Sequence, residues 1–164
     1  MEPYTENQKF NQLWLKLVII IPFVTVIGSI VFGEPNSAQT TNLIISFAIL
    51  GAITALFYLS KLDTRIDEKG ITLRYFPFQR YYYFVGWDEI EEAYIRQYKP
   101  IMEYGGWGLR YTFRNGKAYN VRGNKGLQLV LKSGKKFLIG TQNETGMQSY
   151  LSELKARNAI ACIK

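Results

Sequence analysis

Apolar positions along the chain follow two regimes. Between Leu13 and Leu59 they run almost unbroken, as LWLKLVIIIPFVTVIGSIVF (13–32) and LIISFAILGAITALFYL (43–59). After Lys61 they alternate with polar residues in short segments punctuated by glycine. Twenty helical residues rise about 30 Å, the thickness of a hydrocarbon core. The first run is therefore expected to span a membrane, kinked modestly at Pro22, and the second, carried to position 60, spans at the short limit. Neither shows the polar stripe of a helix lying on a soluble domain. A cleaved secretory signal needs a basic start and a shorter apolar core, whereas Glu2 and Glu6 precede a full-length span here.

Basic residues orient the pair. The connector 34–42 carries no Lys or Arg, while Lys9 and Lys16 flank the entrance and Lys61 and Arg65 follow the exit, which places both termini in the cytosol. Lys16 lies within a turn of the first run's start, where its stem can lift the ammonium to the headgroups. Trp14 and Tyr58 then both fall at the cytosolic interface, where amphipathic rings collect.

Alternation after residue 61 predicts strands at 64–67, 71–76, 80–85, 90–98, 108–113, 118–121, 127–131 and 136–140. Asn115-Gly116 is the strongest hairpin signal, residues 123–126 mark another reversal, and consecutive strands are expected to pair antiparallel. Period two assigns Leu127, Leu129 and Leu131, then Leu109, Tyr111 and Phe113, then Phe137 and Ile139 to the core. Past Gln142 the period becomes helical, with Asn143 as N-cap and an apolar face of Met147, Tyr150, Leu151 and Leu154. The expected fold is a transmembrane helical hairpin plus an all-β, mainly antiparallel sandwich or partly open barrel capped by a C-terminal helix. Its segments are a short cytosolic start (1–12), the hairpin (13–60), the domain (61–158) and a tail (159–164).

The run GGWGLR (105–110), the stretch AYNVRGNKGLQLVLKSGKKFLIGTQ (118–142) and WDEI (87–90) resemble bacterial pleckstrin-homology-like domains, in particular members anchored by an N-terminal two-helix transmembrane hairpin. The resemblance covers roughly 61–155. It implies a seven-stranded PH-like fold with a capping helix, in which Gly105, Gly106, Trp107, Gly108, Arg110, Gly123, Asn124, Gly126 and Gly140 are structural. It also implies residence in a bacterial cytoplasmic membrane, with self-association or scaffolding as plausible roles. Fold likeness alone does not carry function.

Composition removes chemistry. The chain has no histidine and one cysteine, Cys162, so the usual general base, the commonest metal ligand and any thiolate cluster are missing. No enzyme activity, metal, cofactor or small-molecule substrate is expected. Asp88, Glu89, Glu91 and Glu92 read as a solvated turn and strand edge. Gly105, Gly106 and Gly108 have no following lysine at phosphate-loop spacing and read as a turn beside a buried Trp107. Beyond Ser60 there are 18 Lys and Arg against 10 Asp and Glu. That excess suits an anionic leaflet, with Lys16, Lys61, Arg65, Arg74 and Arg80 as headgroup contacts and Tyr81–Tyr83 as interfacial aromatics. Nucleic acid is not expected, since charge alone is unspecific. The reading is a membrane-anchored interaction or scaffold module that binds a protein partner or itself through a sheet edge or helix end. The alternative is a sensor of anionic lipid headgroups.

Overall fold

The computed structural model describes residues 1–10, 13–33, 37–158 and 160–164. They form two compact units, Phe10–Ser60 and the combination of Met1–Lys9 with Lys61–Lys164.

In the first unit the apolar runs are helical: α1 (Leu13–Phe32) continues through Pro22, and α2 (Ser37–Leu59) begins ahead of its apolar run. Among the described residues one helix, Gln39–Leu59 with mean hydropathy 2.1, is long and apolar enough to cross a membrane; Lys16–Phe32 is apolar but shorter. Hydroxyls within the helices bond to their own backbone, Ser29 to the Thr25 carbonyl at 2.9 Å and Thr54 to that of Leu50 at 2.7 Å. These residues therefore add no unsatisfied polar group to an apolar surface. Aromatic pairs Phe10–Phe57 and Phe23–Phe47 meet at 5.5 Å.

The second unit is mixed α/β, with two mainly antiparallel sheets. Sheet 1 runs in the order β1 (Tyr4–Lys9), β2 (Lys61–Ile66), β3 (Gly70–Phe76), β4 (Tyr83–Gly86). Sheet 2 contains β5 (Ile90–Gln97), β6 (Gly108–Thr112), β7 (Gly116–Asn120), β8 (Lys125–Leu131) and β9 (Lys136–Gly140), in the order β5-β8-β9-β7-β6. A short helix, α3 (Pro100–Tyr104), and a 3-10 turn at Trp87–Glu89 interrupt the strands, so the unit is not all-β as expected. The terminal helix α4 (Glu144–Asn158) starts where predicted: the Asn143 Oδ1 accepts the Gly146 N–H at 3.0 Å. Its predicted face, Met147, Tyr150, Leu151 and Leu154, is buried.

Four expectations change. The segment before the first apolar run, read without structure, is β1, and it pairs with β2 across the whole inserted helix unit, Lys9 opposite Lys61 and Tyr4 opposite Ile66. Strands β7 and β8 do not form a hairpin; β9 lies between them, antiparallel to β8 and parallel to β7. The turn at Gly123 (φ +82°) carries the chain across the position β9 later fills. Tyr111 and Phe113 are not core: at 66 % and 99 % exposure they stand on and beyond β6, an edge strand with no partner sheet over it, and Leu109 is only half-buried. The tail is docked, since Ala93 bonds to the Cys162 carbonyl and Lys164 bonds back to Ala93 along the β5 edge.

The core lies between the sheets. Leu62, Ile66, Ile71 and Leu73 from sheet 1 and Leu127, Leu129 and Ile139 from sheet 2 are fully buried there, while Leu138 faces the other side of sheet 2 in a cluster with Tyr98, Tyr104 and Ala118. β9 crosses sheet 1 from edge to edge. Phe137 at its start stacks on Tyr83 of β4, and the Gly140 carbonyl at its end accepts the Gln8 side-chain amide of β1 at 2.6 Å. Five strand residues cover roughly 13 Å, close to the three inter-strand steps between β4 and β1, so the sheets pack at a steep angle. Within sheet 2, Gly140 lets β9 lie close to the end of β7, because a Cβ there would meet that of Asn120 at 2.9 Å.

Candidate functional site

The steep crossing ranks the strands of sheet 2 along sheet 1. At one end of sheet 1 stand Lys9, Lys61 and Phe76, paired in register, and there the chain passes to and from residues 10–60. β7 and β6 lie toward this end, because the Tyr75 hydroxyl reaches the Asn120 carbonyl at 3.5 Å and the Tyr119 hydroxyl donates to the Gln79 Oε1 at 3.2 Å. β5 lies toward the other, where the Trp87 indole donates to the Asp67 carbonyl at 2.9 Å.

The sequence-selected cations separate on this frame. Period two places Lys61, Asp63 and Arg65 on the outer face of β2, and register puts Arg74 opposite Asp63. Asp63 accepts both Nε and Nη2 of Arg74, at 3.1 and 2.6 Å, and lies 3.6 Å from Lys61; Arg65 pairs with Asp67 at 3.5 Å. Hydrogen bonding to Asp63 raises the Arg74 guanidinium further above its ordinary value. Glu6 and Asn7 border the same groove, of about 780 Å³, and Arg74 stacks 4.4 Å from the Tyr82 ring centre. Three of the five predicted headgroup contacts are thus engaged by carboxylates. Lys16 lies exposed in the helical unit, as does Tyr58, while the Trp14 side chain is outside the described residues.

Arg80 differs. It lies exposed in the β3–β4 loop, opened by a cis Phe76–Pro77 peptide, beside Phe78, Tyr81 and Tyr82 at 60, 85 and 59 % exposure. Gln79 staples this loop through its N–H to the Tyr75 carbonyl at 2.7 Å and its amide to the Tyr81 carbonyl at 3.2 Å, while accepting from Tyr119. Burial pushes the Tyr119 phenol up to about 12, so it remains a donor at neutral pH.

Next to this loop lies a groove of about 670 Å³ between the β6–β7 and β8–β9 turns. Arg114, Lys117, Lys135 and Lys136 line it with Tyr83, Tyr111, Phe113 and Phe137, and no carboxylate is among its lining residues. The ion pairs found among the described residues involve none of these four cations. Lys117 stands 5.6 Å over the Tyr119 ring. Parallel pairing of β7 with β9, which sets Lys117 opposite Phe137, gathers the cations from two distant turns. Sequence reasoning missed them by pairing β7 with β8. The available signal was RNGK (114–117) and KSGKK (132–136), two basic glycine turns separated by two strands, β7 and β8.

The other residues singled out from the sequence are placed as follows. Trp107 is half-buried, not buried, with its indole donating to the Gly123 carbonyl at 2.9 Å. Gly105 ends α3 in the left-handed region (φ +72°), Gly106 and Gly108 hold positive φ, and Arg110 donates to the Trp107 carbonyl at 3.1 Å. The Asn124 carbonyl accepts the Tyr98 N–H at 2.8 Å, and Gly126 faces Gly140 in the β8–β9 pair. Asp88, Glu89 and Glu91 are exposed, and Glu92 pairs with Lys164. Among the described residues no group of His, Cys, Asp and Glu is assembled to hold a metal. Across the sheet, burial opposes ionisation of Glu103, but the Arg96 guanidinium at 2.7 Å holds its carboxyl below the usual range.

Neither protein-family models nor curated proteins match this chain.

Proposed function

We propose that the chain is a membrane-anchored binding module with a PH-like double-sheet domain, held at the cytosolic face by a two-helix transmembrane hairpin, and not an enzyme. The observation that carries this reading is the pairing of Lys9 with Lys61. Paired residues in adjacent strands lie about 5 Å apart, so the polypeptide leaves for the apolar unit and returns from it at one point. An excursion that starts and ends together suits two crossings and not one. The side chains support the same reading: Ile21, Val24, Val31, Ile44 and Ile49 are each more than half exposed. A helix apolar on every side has its stable place in a protein core or in lipid. The absence of basic residues from the connector and their presence at both exits support a cytosolic domain.

Single cysteines in a Cys162→Ser background test the anchor. A cysteine at Asn36 and one at Lys69 are expected to react with a membrane-impermeant maleimide from opposite faces of sealed vesicles, with position 69 cytosolic. Labelling of both from the same face would overturn the hairpin. The domain's binding role then rests on its basic groove and the exposed aromatic loop beside it, which favours the lipid alternative over a protein partner.

A further inference from the structure

We propose that this domain docks onto the bilayer that anchors it, with Arg114, Lys117, Lys135 and Lys136 holding phosphates of anionic phospholipids and Phe78, Tyr81 and Phe113 seated among the headgroups. The proposal rests on the hairpin reading above and uses a cation set different from the one the sequence suggested.

Three independent observations converge. The groove has no carboxylate in its lining, and of its four cations only Lys136 also borders acidic side chains, those of Glu91, Glu92 and Glu103 on the far face of sheet 2, whereas the outer groove of sheet 1 carries Glu6, Asp63 and Asp67 among its cations. A site lined by one sign of charge concentrates counter-charge from its surroundings, and a compensated one does not. The aromatic residues beside it are exposed on the tips of turns, Phe113 at 99 % and Tyr81 at 85 %, with no partner sheet over either. Large exposed apolar groups next to cations are the composition that lies in a lipid interface, where the ring enters the headgroup layer and the charge stays with phosphate. Position supplies the third. The aromatic loop continues directly from Phe76, at the end of sheet 1 from which the chain runs into α1 and back from α2, and the groove adjoins that loop through Tyr83 at the start of β4. That covalent continuity makes the lipid surface the nearest large anionic partner.

Docking needs no new folding. Gln79 and Tyr119 already fix the aromatic loop to β7, and β9 joins both turns to the core. Each basic residue that reaches an anionic leaflet raises the docked fraction by roughly fivefold. Reversing three of them therefore lowers the docked-to-undocked ratio by on the order of a hundredfold or more.

The test uses the full-length chain with Cys162→Ser, reconstituted in nanodiscs of phosphatidylcholine alone or with one quarter phosphatidylglycerol. Spin labels are placed at Ser133→Cys, on the groove rim, and at Glu68→Cys, at the opposite end of sheet 1. With phosphatidylglycerol at low salt, the label at 133 is expected to gain oxygen contact and lose contact with a water-soluble nickel chelate. The label at 68 stays in water. Adding Arg114→Glu, Lys135→Glu and Lys136→Glu, with far-ultraviolet circular dichroism unchanged, should return position 133 to water. A label at 133 that is equally wet in both lipids overturns docking, as does a shift that survives the triple reversal. Failure of the anchor is separate: it shows as same-side labelling of positions 36 and 69, whatever the spin labels report.

Discussion

The outer face of sheet 1 and the groove between the β6–β7 and β8–β9 turns contain similar cations in opposite circumstances. On sheet 1, Lys61, Arg65 and Arg74 share a surface with Asp63 and Asp67, and the ion pairs follow from strand period and register. In the groove, Arg114, Lys117, Lys135 and Lys136 come from two turns with no carboxylate between them. Net charge describes both regions equally poorly. What a basic residue can bind depends on whether its neighbours in space have already bound it.

The contrast can be broken at either region. The largest effect is expected from Arg114→Glu with Lys135→Glu and Lys136→Glu, which should weaken docking on anionic nanodiscs by on the order of a hundredfold. A second change should convert the quiet face into an active one. Asp63→Asn with Asp67→Asn releases Lys61, Arg65 and Arg74, and vesicle flotation should show roughly a tenfold gain in salt-sensitive binding. The same pair of changes should lower domain stability slightly, because Arg74 loses the carboxylate that accepts both its Nε and its Nη2. Denaturant midpoints of the two proteins would check that loss. Replacing Phe113 by Ser removes one interfacial ring without altering charge, so affinity should fall several-fold while its salt dependence stays the same. Smallest of all, Arg65→Gln should change lipid binding by less than twofold; a larger change would erase the distinction between the two regions.

Much of this was readable in the linear chain, and the exceptions have physical causes. Strong alternation located β2 to β9 within a few residues, and a side-chain cap plus a four-residue apolar face located α4. The neutral face was misread as a headgroup surface, although KLDTRID places Lys61, Asp63, Arg65 and Asp67 on one side of a strand and so carried the pairing signal. β1 was not legible, because YTENQK offers a single large apolar residue and buries a glutamine, Gln8, against sheet 2. Its partner strand lies beyond the entire apolar unit. The groove was hidden for a related reason. Neighbouring strands in sequence usually pair, and that rule gives β7 to β8, separating two basic turns that the parallel β7–β9 pair brings together. Tyr111 and Phe113 alternate like core residues, but an edge strand has nothing to bury them against.

The pairing of Lys9 with Lys61 also orders events during synthesis. β1 leaves the ribosome first and has no partner until both helices have been made and β2 follows. Completion of sheet 1 therefore waits on synthesis of the whole of residues 10–60. A molecule in which β1 failed to meet β2 would present β2 as a bare edge, with Gln8 and the Gly140 carbonyl both unsatisfied. The strand that closes the domain is thus the first to be made and among the last to be satisfied.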